Sequence, residues 1–554
     1  TLDMSAAGAA TFNSTINGVG INVIETESIL VSNDGGTGTI SSALRNTGFG
    51  YEVFDDLTTG DDNTSIGRRA LTKVTTGSSN VAVGSGTIEL NTTGSNNTGL
   101  GYLALYANTT AGSNTAVGSN ALAANTTGNT NTAVGKGSLA TNTTGDRSVA
   151  VGLNALNLQN PSSNADMYNT AVGYTAGAAV TTGVNNTFIG GLAGDANTTG
   201  NQNTALGRSS LGANTTASNN TAIGYNSMAL NTTGTSNTAI GYSSLDANTT
   251  ASNNTALGYD ALTTNTTGAS NTAVGQGALE LNTTAANNTA VGKDALTANT
   301  TGTQNVALGA LALDANTTAP NNTAVGYDSL SANTTGSENV GVGAYAMASN
   351  TTGADNTAIG TAALDANTTG ANNAAVGRHA LGANTTGANN VAVGQSAQAA
   401  NTTGNDNVGV GRQALDANTT GGANVAMGSD ALGANTTASN NTAVGYQALI
   451  ANTTGASNVA VGRGALQTNT TASNNTAVGD EALYANTTGA QNSAFGHSSL
   501  QQNTTGQYNT GIGDFALYAN TTASNNTAVG KDALLQNTTG TENVSVGAES
   551  LENN

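Results

Sequence analysis

The chain has 554 residues, of which 37% are hydrophobic and 4% aromatic, and it contains 73 glycines, two prolines and neither cysteine nor tryptophan. Large core-forming side chains are therefore scarce, and disulfides and thiol chemistry are excluded. Twelve basic and 32 acidic residues give a net charge of −20. This sign opposes binding to phosphates or anionic lipids, so we expect no nucleic-acid partner and no membrane partner.

Residues 1–45 precede the regular part of the sequence. They contain two segments, 10–16 and 21–24, in which apolar and polar residues alternate, and we predict a strand in each. The glycine-rich segment 34–38 is predicted to be a flexible connection. We therefore interpret residues 1–45 as a β-rich adaptor or as a degenerate start of the array that follows.

From residue 46 onwards the sequence repeats every 17 residues. A glycine marks each copy, from Gly50 to Gly152 in seven copies and, after one slip, from Gly173 to Gly547 in 23 copies. Residues 441–457 (Asn-Thr-Ala-Val-Gly-Tyr-Gln-Ala-Leu-Ile-Ala-Asn-Thr-Thr-Gly-Ala-Ser) are a representative copy. Such a period is typical of arrays in which each copy contacts mainly its neighbours. The sequence therefore predicts an all-β fold, an elongated parallel β-solenoid (β-roll) of about thirty 17-residue coils.

Positions in a copy are numbered here from the repeat glycine, position 0. Position −1 is apolar in every copy, and position +4 is Leu in most, so we predict that both face the core. Position −2 is Ala, Gly or Ser except at Phe188, which indicates close packing against another surface, including that of another chain. The glycine is expected to bend the chain or to adopt a positive φ, which other residues avoid.

Two positions in each copy carry asparagine. Position −4 is Asn in every copy except at Ser148, and stacked Asn side chains can hydrogen-bond from coil to coil, so we predict an asparagine ladder there. The second Asn, at position +7 in most copies, is expected in a loop, because Asn tolerates left-handed backbone angles.

The repeat is irregular between residues 153 and 196. The interval from Gly152 to Gly173 is 21 residues, so four extra residues should bulge from the array. Gly177 and Gly194 replace Leu at position +4, and we expect a thinner core there that Phe188 partly fills. We divide the array into residues 46–152, an inserted coil at 153–172 and residues 173–554. The last segment is expected to be truncated, because the sequence stops where a further Asn-Thr-Thr should begin.

Position +1 carries exposed aromatic and cationic residues in many copies. One interpretation is an adhesive stripe for glycans; the other, which we favour, is a solubilising face of long side chains. The candidate stripe consists of Arg68, Tyr102, Lys136, Tyr174, Arg208, Tyr225, Tyr242, Tyr259, Lys293, Tyr327, Arg378, Arg412, Tyr446, Arg463 and Lys531.

Acidic residues recur at position +5, directly after the core Leu. Calcium between coils is one interpretation, but the calcium-binding Gly-Gly-x-Gly-x-Asp nonapeptide is absent, so a charged rim is favoured. His379 and His497 are seven repeats apart, which excludes a histidine-based metal cluster or catalytic pair. We predict no enzyme activity, no metal and no cofactor. The acidic residues in question include Asp246, Asp314, Asp365 and Asp416.

The repeat resembles the head repeats of trimeric autotransporter adhesins over residues 46–554, through Asn-Thr-Ala-Val-Gly-x-x-Ala-Leu, although the period here is longer. Those heads form a left-handed parallel β-roll from three chains, so the resemblance implies a homotrimer. Residues 2–13 (Leu-Asp-Met-Ser-Ala-Ala-Gly-Ala-Ala-Thr-Phe-Asn) resemble segments of tail-fibre proteins of bacterial viruses, which often carry similar arrays.

These resemblances imply a structural role outside the cell. The first expectation is the shaft of a tail fibre or similar virion appendage, which presents a receptor-binding tip, beyond these residues, to host glycans or receptors. The alternative is an adhesin or filament on a bacterial cell surface. A third interpretation, an ice-binding or glycan-binding array, requires a flat face of threonines or aromatic residues.

Overall fold

The fold was analysed in a computed structural model that describes residues 15–16, 19–24, 28–32 and 42–553. These residues form β-strands and turns, with no α-helix. The chain divides into two compact units, 1–273 and 274–554. Each is a parallel β-solenoid, with about 29 coils of about 17 residues in all. The predicted fold, an all-β parallel solenoid, is thereby confirmed.

The first unit starts with an antiparallel meander and continues as stacked parallel strands. Strand β3 pairs antiparallel with β2 and parallel with β4, so the meander leads directly into the first coil. The predicted strand at 21–24 lies within β2; of the predicted strand at 10–16, residues 15–16 form β1, whereas 10–14 and the glycine-rich segment 34–38 lie outside the described residues. The strands are β1 (Thr15–Ile16), β2 (Val19–Ile24), β3 (Ser28–Ser32), β4 (Thr47–Phe49), β5 (Thr64–Ile66), β6 (Val81–Val83), β7 (Thr98–Leu100), β8 (Thr115–Val117), β9 (Thr132–Val134), β10 (Gly145–Asp146), β11 (Val149–Val151), β12 (Ala165–Asp166), β13 (Thr170–Val172), β14 (Thr187–Ile189), β15 (Thr204–Leu206), β16 (Thr221–Ile223), β17 (Thr238–Ile240), β18 (Thr255–Leu257) and β19 (Thr272–Val274), which crosses the division between the units.

The second unit consists of regular coils with one three-residue strand each. Its strands are β20 (Thr289–Val291), β21 (Val306–Leu308), β22 (Thr323–Val325), β23 (Val340–Val342), β24 (Thr357–Ile359), β25 (Ala374–Val376), β26 (Val391–Val393), β27 (Val408–Val410), β28 (Val425–Met427), β29 (Thr442–Val444), β30 (Val459–Val461), β31 (Thr476–Val478), β32 (Ser493–Phe495), β33 (Thr510–Ile512), β34 (Thr527–Val529) and β35 (Val544–Val546). Where the pairing of strands β20–β34 is described, each strand pairs in parallel with the strand that follows it. Strand β29, for example, pairs in this way with β30.

The strand register equals the repeat, so equivalent positions stack on one another. Ala443 pairs with Ala460 in the second unit, and Ala222 with Ala239 in the first. The backbone bonds continue through the turns: the Leu449 amide donates to the Ala465 carbonyl at 3.0 Å. A ladder of backbone hydrogen bonds therefore holds each coil to the next in the turns as well as at the strand.

The apolar part of the interior is formed by positions −2, +3 and +4, and the prediction for position −1 was wrong. Ala443 and Leu449 are fully buried, whereas Val444 is only half-buried and its equivalent Met427 is 45% exposed. Successive strand residues point to opposite faces, so an inward Ala at −2 directs positions −3 and −1 outward. The core is too narrow for two large side chains per coil, and Leu at +4 already occupies it.

The restriction of position −2 to small residues therefore has an internal cause. Ala426 and Ala443 belong to the same buried cluster as Leu432 and Leu449 of their own coils. The expectation that this position contacts another chain was wrong, because the side chain points into its own solenoid.

The repeat glycine has the positive φ that the sequence predicted. At Gly445 φ is +135°, and a Cβ built there would lie 2.4 Å from the carbonyl oxygen of Gly462 in the next coil. Positions +2, +4 and +12 also have positive φ, and Leu449 has φ of 53°. A left-handed residue costs about 1–2 kcal/mol, which burial of the leucine, about 1.5–3 kcal/mol, offsets.

Two asparagine ladders run through the interior. At position −4, the backbone N–H of Asn441 donates to the side-chain Oδ1 of Asn424 at 3.0 Å, which confirms the predicted ladder. At position +7, Asn452 Nδ2 donates to Asn435 Oδ1 at 3.1 Å and to the Gly455 carbonyl at 2.9 Å. This second asparagine lies outside the strands as predicted, but the left-handed backbone expected for it was wrong: Asn452 is fully buried and its φ is not positive. The side-chain amide of Asn452 explains the asparagine at this position, because it links successive coils where the backbone turns.

The irregular coils contain paired exceptions that compensate for one another. Ser148 replaces Asn at −4, and Gln159 replaces Asn at +7; the longer Gln159 donates from Nε2 to Ser148 Oγ at 3.0 Å. Asn169 Nδ2 donates to Gln159 Oε1 at 3.0 Å, so the network continues across the insertion. Within the insertion, residues 162–164 form an exposed bend after the buried Pro161.

Phe188 fills the room that two missing leucines leave. It is fully buried, and a Cβ at Gly177 would lie 2.8 Å from its ring, while one at Gly194 would lie 2.5 Å from it. The expectation that Phe188 fills this space is confirmed. The ring occupies the region in which a thinner core was expected. Gln398, the third exception at +4, is also buried and donates from Nε2 to the Val391 carbonyl at 2.8 Å.

Candidate functional site

The candidate stripe at position +1 lies on the outer surface, in the turn that follows the strand. Its tyrosines are 39–57% exposed. In the first unit Tyr225, Tyr242 and Tyr259 stack in consecutive coils, with ring centroids 5.4 and 5.2 Å apart, and the Arg208 guanidinium lies 5.7 Å from the Tyr225 ring. Both faces of Tyr242 are therefore covered by neighbouring rings, which leaves only its edge for a ligand.

Several cations of the stripe pair with carboxylates of the same or the next coil. In the second unit Arg412 lies 3.0 Å from Asp430, and Arg463 lies 2.9 Å from both Asp480 and Glu481. Exposed pairs of this kind contribute little to stability, because water screens them. This arrangement favours a solubilising face at these positions. Arg68 and Tyr102 differ, because both line a surface cavity in the first unit.

The acidic rim at position +5 is half-buried, and His379 lies close enough to Asp365 to act on its charge. Within the described residues, no group of three or more His, Cys, Asp or Glu is placed to hold a metal ion. His497 is exposed, with Nδ1 3.0 Å from Asp514 Oδ1 and its ring edge-on to Phe515. Burial raises the pKa of Asp195, Asp246, Asp314, Asp365 and Asp416.

These raised pKa values predict a pH dependence of stability. At Asp314, burial and then the neighbouring carboxylates of Asp328 and Asp294 raise the pKa, so the folded chain binds its proton more tightly than the unfolded chain does. Stability should therefore fall as pH rises through the window between the unfolded pKa, about 3.9, and the raised folded pKa. We expect Asp314→Asn to stabilise the chain at pH 7 by a few tenths of a kcal/mol, since the group is partly solvated.

The measurement is denaturant unfolding of wild type and Asp314→Asn at pH 3 and pH 7. The difference should vanish at pH 3, where the carboxyl is protonated in both states. The exposed Asp355→Asn variant at position +12 serves as the control. A stabilisation that is the same at both pH values would show that the carboxylate is not responsible.

The sequence analysis missed a row of outward apolar side chains at position −1. In the first unit Phe49 is 60% exposed and Leu100 46%; in the second, Ile359 is 43% and Phe495 41% exposed. The sequence carries a signal for this row. If Ala at position −2 is assigned to the interior, the large apolar residue at position −1 must point outward in every copy. Exposed apolar side chains in a row form a candidate interaction site.

The same outward face carries position −3, which is Thr in most copies. The Thr row is interrupted by Val, as at Val391, Val408 and Val425 in three consecutive coils. The third interpretation, an ice-binding or glycan-binding array, requires a flat face of threonines or aromatic residues, and these interruptions argue against its threonine form. The face is instead dominated by the apolar row at position −1.

Within the described parts of the chain, no helix has the length and apolarity needed to cross a membrane. A scan against models of known protein families gives no match, and a search of curated proteins gives none either. The inference of function therefore depends on the geometry of the coils.

Proposed function

We propose that the solenoid is the structural shaft of a fibre, formed by three copies of this chain, which holds a receptor-binding tip away from its base. The observation that carries the proposal is the apolar row at position −1, which follows the outward strand face coil after coil. We place the shaft outside the cell, in a virion appendage such as the tail fibre of a bacterial virus. Host glycans or receptors are then the partners of the tip.

The periodicity of the row favours further copies of the same chain as its partner. The row offers one apolar side chain per coil, at a spacing of about 4.8 Å. A parallel, in-register copy presents the same spacing over the same length, whereas an unrelated globular surface does not. Burial of the row stabilises the assembly by a small hydrophobic free energy in each coil, and this contribution is repeated along the array. Three copies can turn their rows towards one common axis.

The ladders within each chain support a mechanical role. Backbone bonds link successive coils in the strand and the turns, and two buried asparagine rows link them again. In such an array stability accumulates from nearest-neighbour contacts. We propose a role without catalysis or cofactor, and the net charge of −20 supports one without nucleic-acid or membrane partners. An adhesin or filament on a bacterial surface, built from the same trimer, is the alternative.

The first test is the mass of the chain in solution at micromolar concentration. Sedimentation equilibrium should give three times the chain mass of 53.9 kDa. A monomer would contradict association, and a dimer would contradict the threefold arrangement.

The second test locates the interface by single cysteines, since the chain has none of its own. Val444→Cys places a thiol on the apolar row and Tyr446→Cys places one on the exposed stripe two residues away. Mild oxidation should link Val444→Cys chains to covalent dimers at least about tenfold faster than Tyr446→Cys chains. Equal rates would show that the row at position −1 is not the interface.

A further inference from the structure

A surface cavity of about 370 Å³ opens in the first unit around Gly86. Gly86 occupies position +2, where the preceding coil has Arg69 and the following coil has Leu103. Ser85, at position +1, is likewise small between Arg68 and Tyr102. Coils are spaced at about 4.8 Å, so two small residues in one coil widen the space between the flanking side chains, of which Leu103 reaches to 2.7 Å from where a Cβ of Gly86 would lie.

The base of the cavity is a buried carboxylate. Glu89 is 3% exposed, and Arg69 Nη2 lies 2.6 Å from its Oε1. Its second oxygen faces the gap, because a Cβ built on Gly86 would lie 3.4 Å from Glu89 Oε2. Arg69 Nε also lies 3.1 Å from Glu52, in an ion pair without the alignment of a hydrogen bond. Arg69 is thus held between two carboxylates.

The walls combine a cation with aromatic rings. Arg68 is exposed, and within the described residues it has no carboxylate in ion-pair range. Tyr102 and Tyr106 line the cavity on the side of the following coil. The charges of Arg69, Glu89, Glu52 and Arg68 sum to zero, so the group that the cavity offers to an anion is the guanidinium of Arg68.

We propose that this cavity binds one acidic sugar residue, a pyranose that carries a carboxylate. A guanidinium fork such as that of Arg68 pairs with a carboxylate through two parallel hydrogen bonds. Glu89 Oε2 accepts a hydrogen bond from a sugar hydroxyl, and Ser85 can accept or donate one. The tyrosine rings offer apolar contact to the C–H face of the ring. A volume of about 370 Å³ lies at the lower end of the range for small-ligand sites, about 300–1,000 Å³.

The test is calorimetric titration of the full chain with glucuronate and, separately, with glucose. We expect glucuronate to bind at least about tenfold more tightly than glucose. Gly86→Asn should fill the gap and weaken glucuronate binding at least about tenfold. The coil should still form, because Gly86 has φ of 67° and its equivalents Arg69 and Leu103 have φ of 59° and 54° with side chains present. The nearest atom to a Cβ at Gly86, Leu103 Cδ2 at 2.7 Å, is the end of a flexible side chain that can move aside.

The matched control is Gly137→Asn, which places the same side chain at the same position of another coil, where Gly137 has φ of 70°. It should bind glucuronate as the wild type does. Arg68→Gln, which leaves the backbone unchanged, should reduce the preference for glucuronate over glucose. The proposal is overturned if glucuronate at about 10 mM gives no binding, if Gly86→Asn binds it like wild type, or if both sugars bind equally.

Discussion

Replacing Phe188 with alanine is expected to destabilise the coils around it by about 3–5 kcal/mol, the usual loss for a buried phenylalanine. The ring is fully buried and fills the room left by Gly177 and Gly194, so no neighbouring side chain of those coils can close the cavity. Hydrogen exchange of the full chain should show the loss as faster exchange around residues 171–211, because a defect in a repeat array opens locally.

The compensation can be tested by restoring the regular pattern. Gly177→Leu alone should destabilise, since its Cβ would lie 2.8 Å from the Phe188 ring. The triple variant Phe188→Ala, Gly177→Leu and Gly194→Leu returns these coils to the usual Ala and Leu, and it should recover most of the lost stability. The left-handed backbone at Gly177 and Gly194, with φ of 58° and 55°, matches that of the leucines elsewhere. A triple variant as unstable as Phe188→Ala would refute the compensation.

Gly190→Ala is expected to cost more than about 2 kcal/mol, because it combines a backbone conformation reserved for glycine with a direct collision. Gly190 has φ of +136°, and a Cβ there would lie 2.4 Å from the Gly207 carbonyl oxygen of the next coil. That oxygen cannot move without breaking the alignment of the two coils. Denaturant unfolding, together with hydrogen exchange around residues 187–212, measures the loss.

The neighbouring glycine is a matched control. A Cβ built on Gly191 would meet no atom within 4 Å, and its φ is not positive. Gly191→Ala should therefore change stability by no more than about 0.5 kcal/mol, as at other open surface positions. Similar losses at both residues would mean that general glycine flexibility, and not the close approach of successive coils, explains the repeat glycine.

The sequence by itself determined the solenoid, because each copy occupies nearly the same environment. Thirty copies in one chain show what each position tolerates. An invariant glycine such as Gly445 indicates a positive φ, a repeated Asn such as Asn441 indicates a ladder, and Leu449 at position +4 indicates the core. These are properties of one residue and its stacked equivalents, which the 17-residue period already brings together.

The tertiary structure decided which face of each strand is inside. Alternation places Ala443 and Val444 on opposite faces, but it does not say which face is buried. The more apolar residue is outside because the asparagine amides and Leu449 leave the interior room only for Ala. The apolar row at position −1 then became the candidate interface, in place of the small residues.

The structure was also needed wherever one exception is explained by another in a different coil. Gln159 compensates for Ser148, Phe188 occupies the space of two leucines, and the cavity at Gly86 exists because of the side chains in the coils before and after it. Each depends on distances across the stack between residues that the regular period does not pair. The repeat pattern thus determined the average coil, whereas packing between particular side chains determined its exceptions.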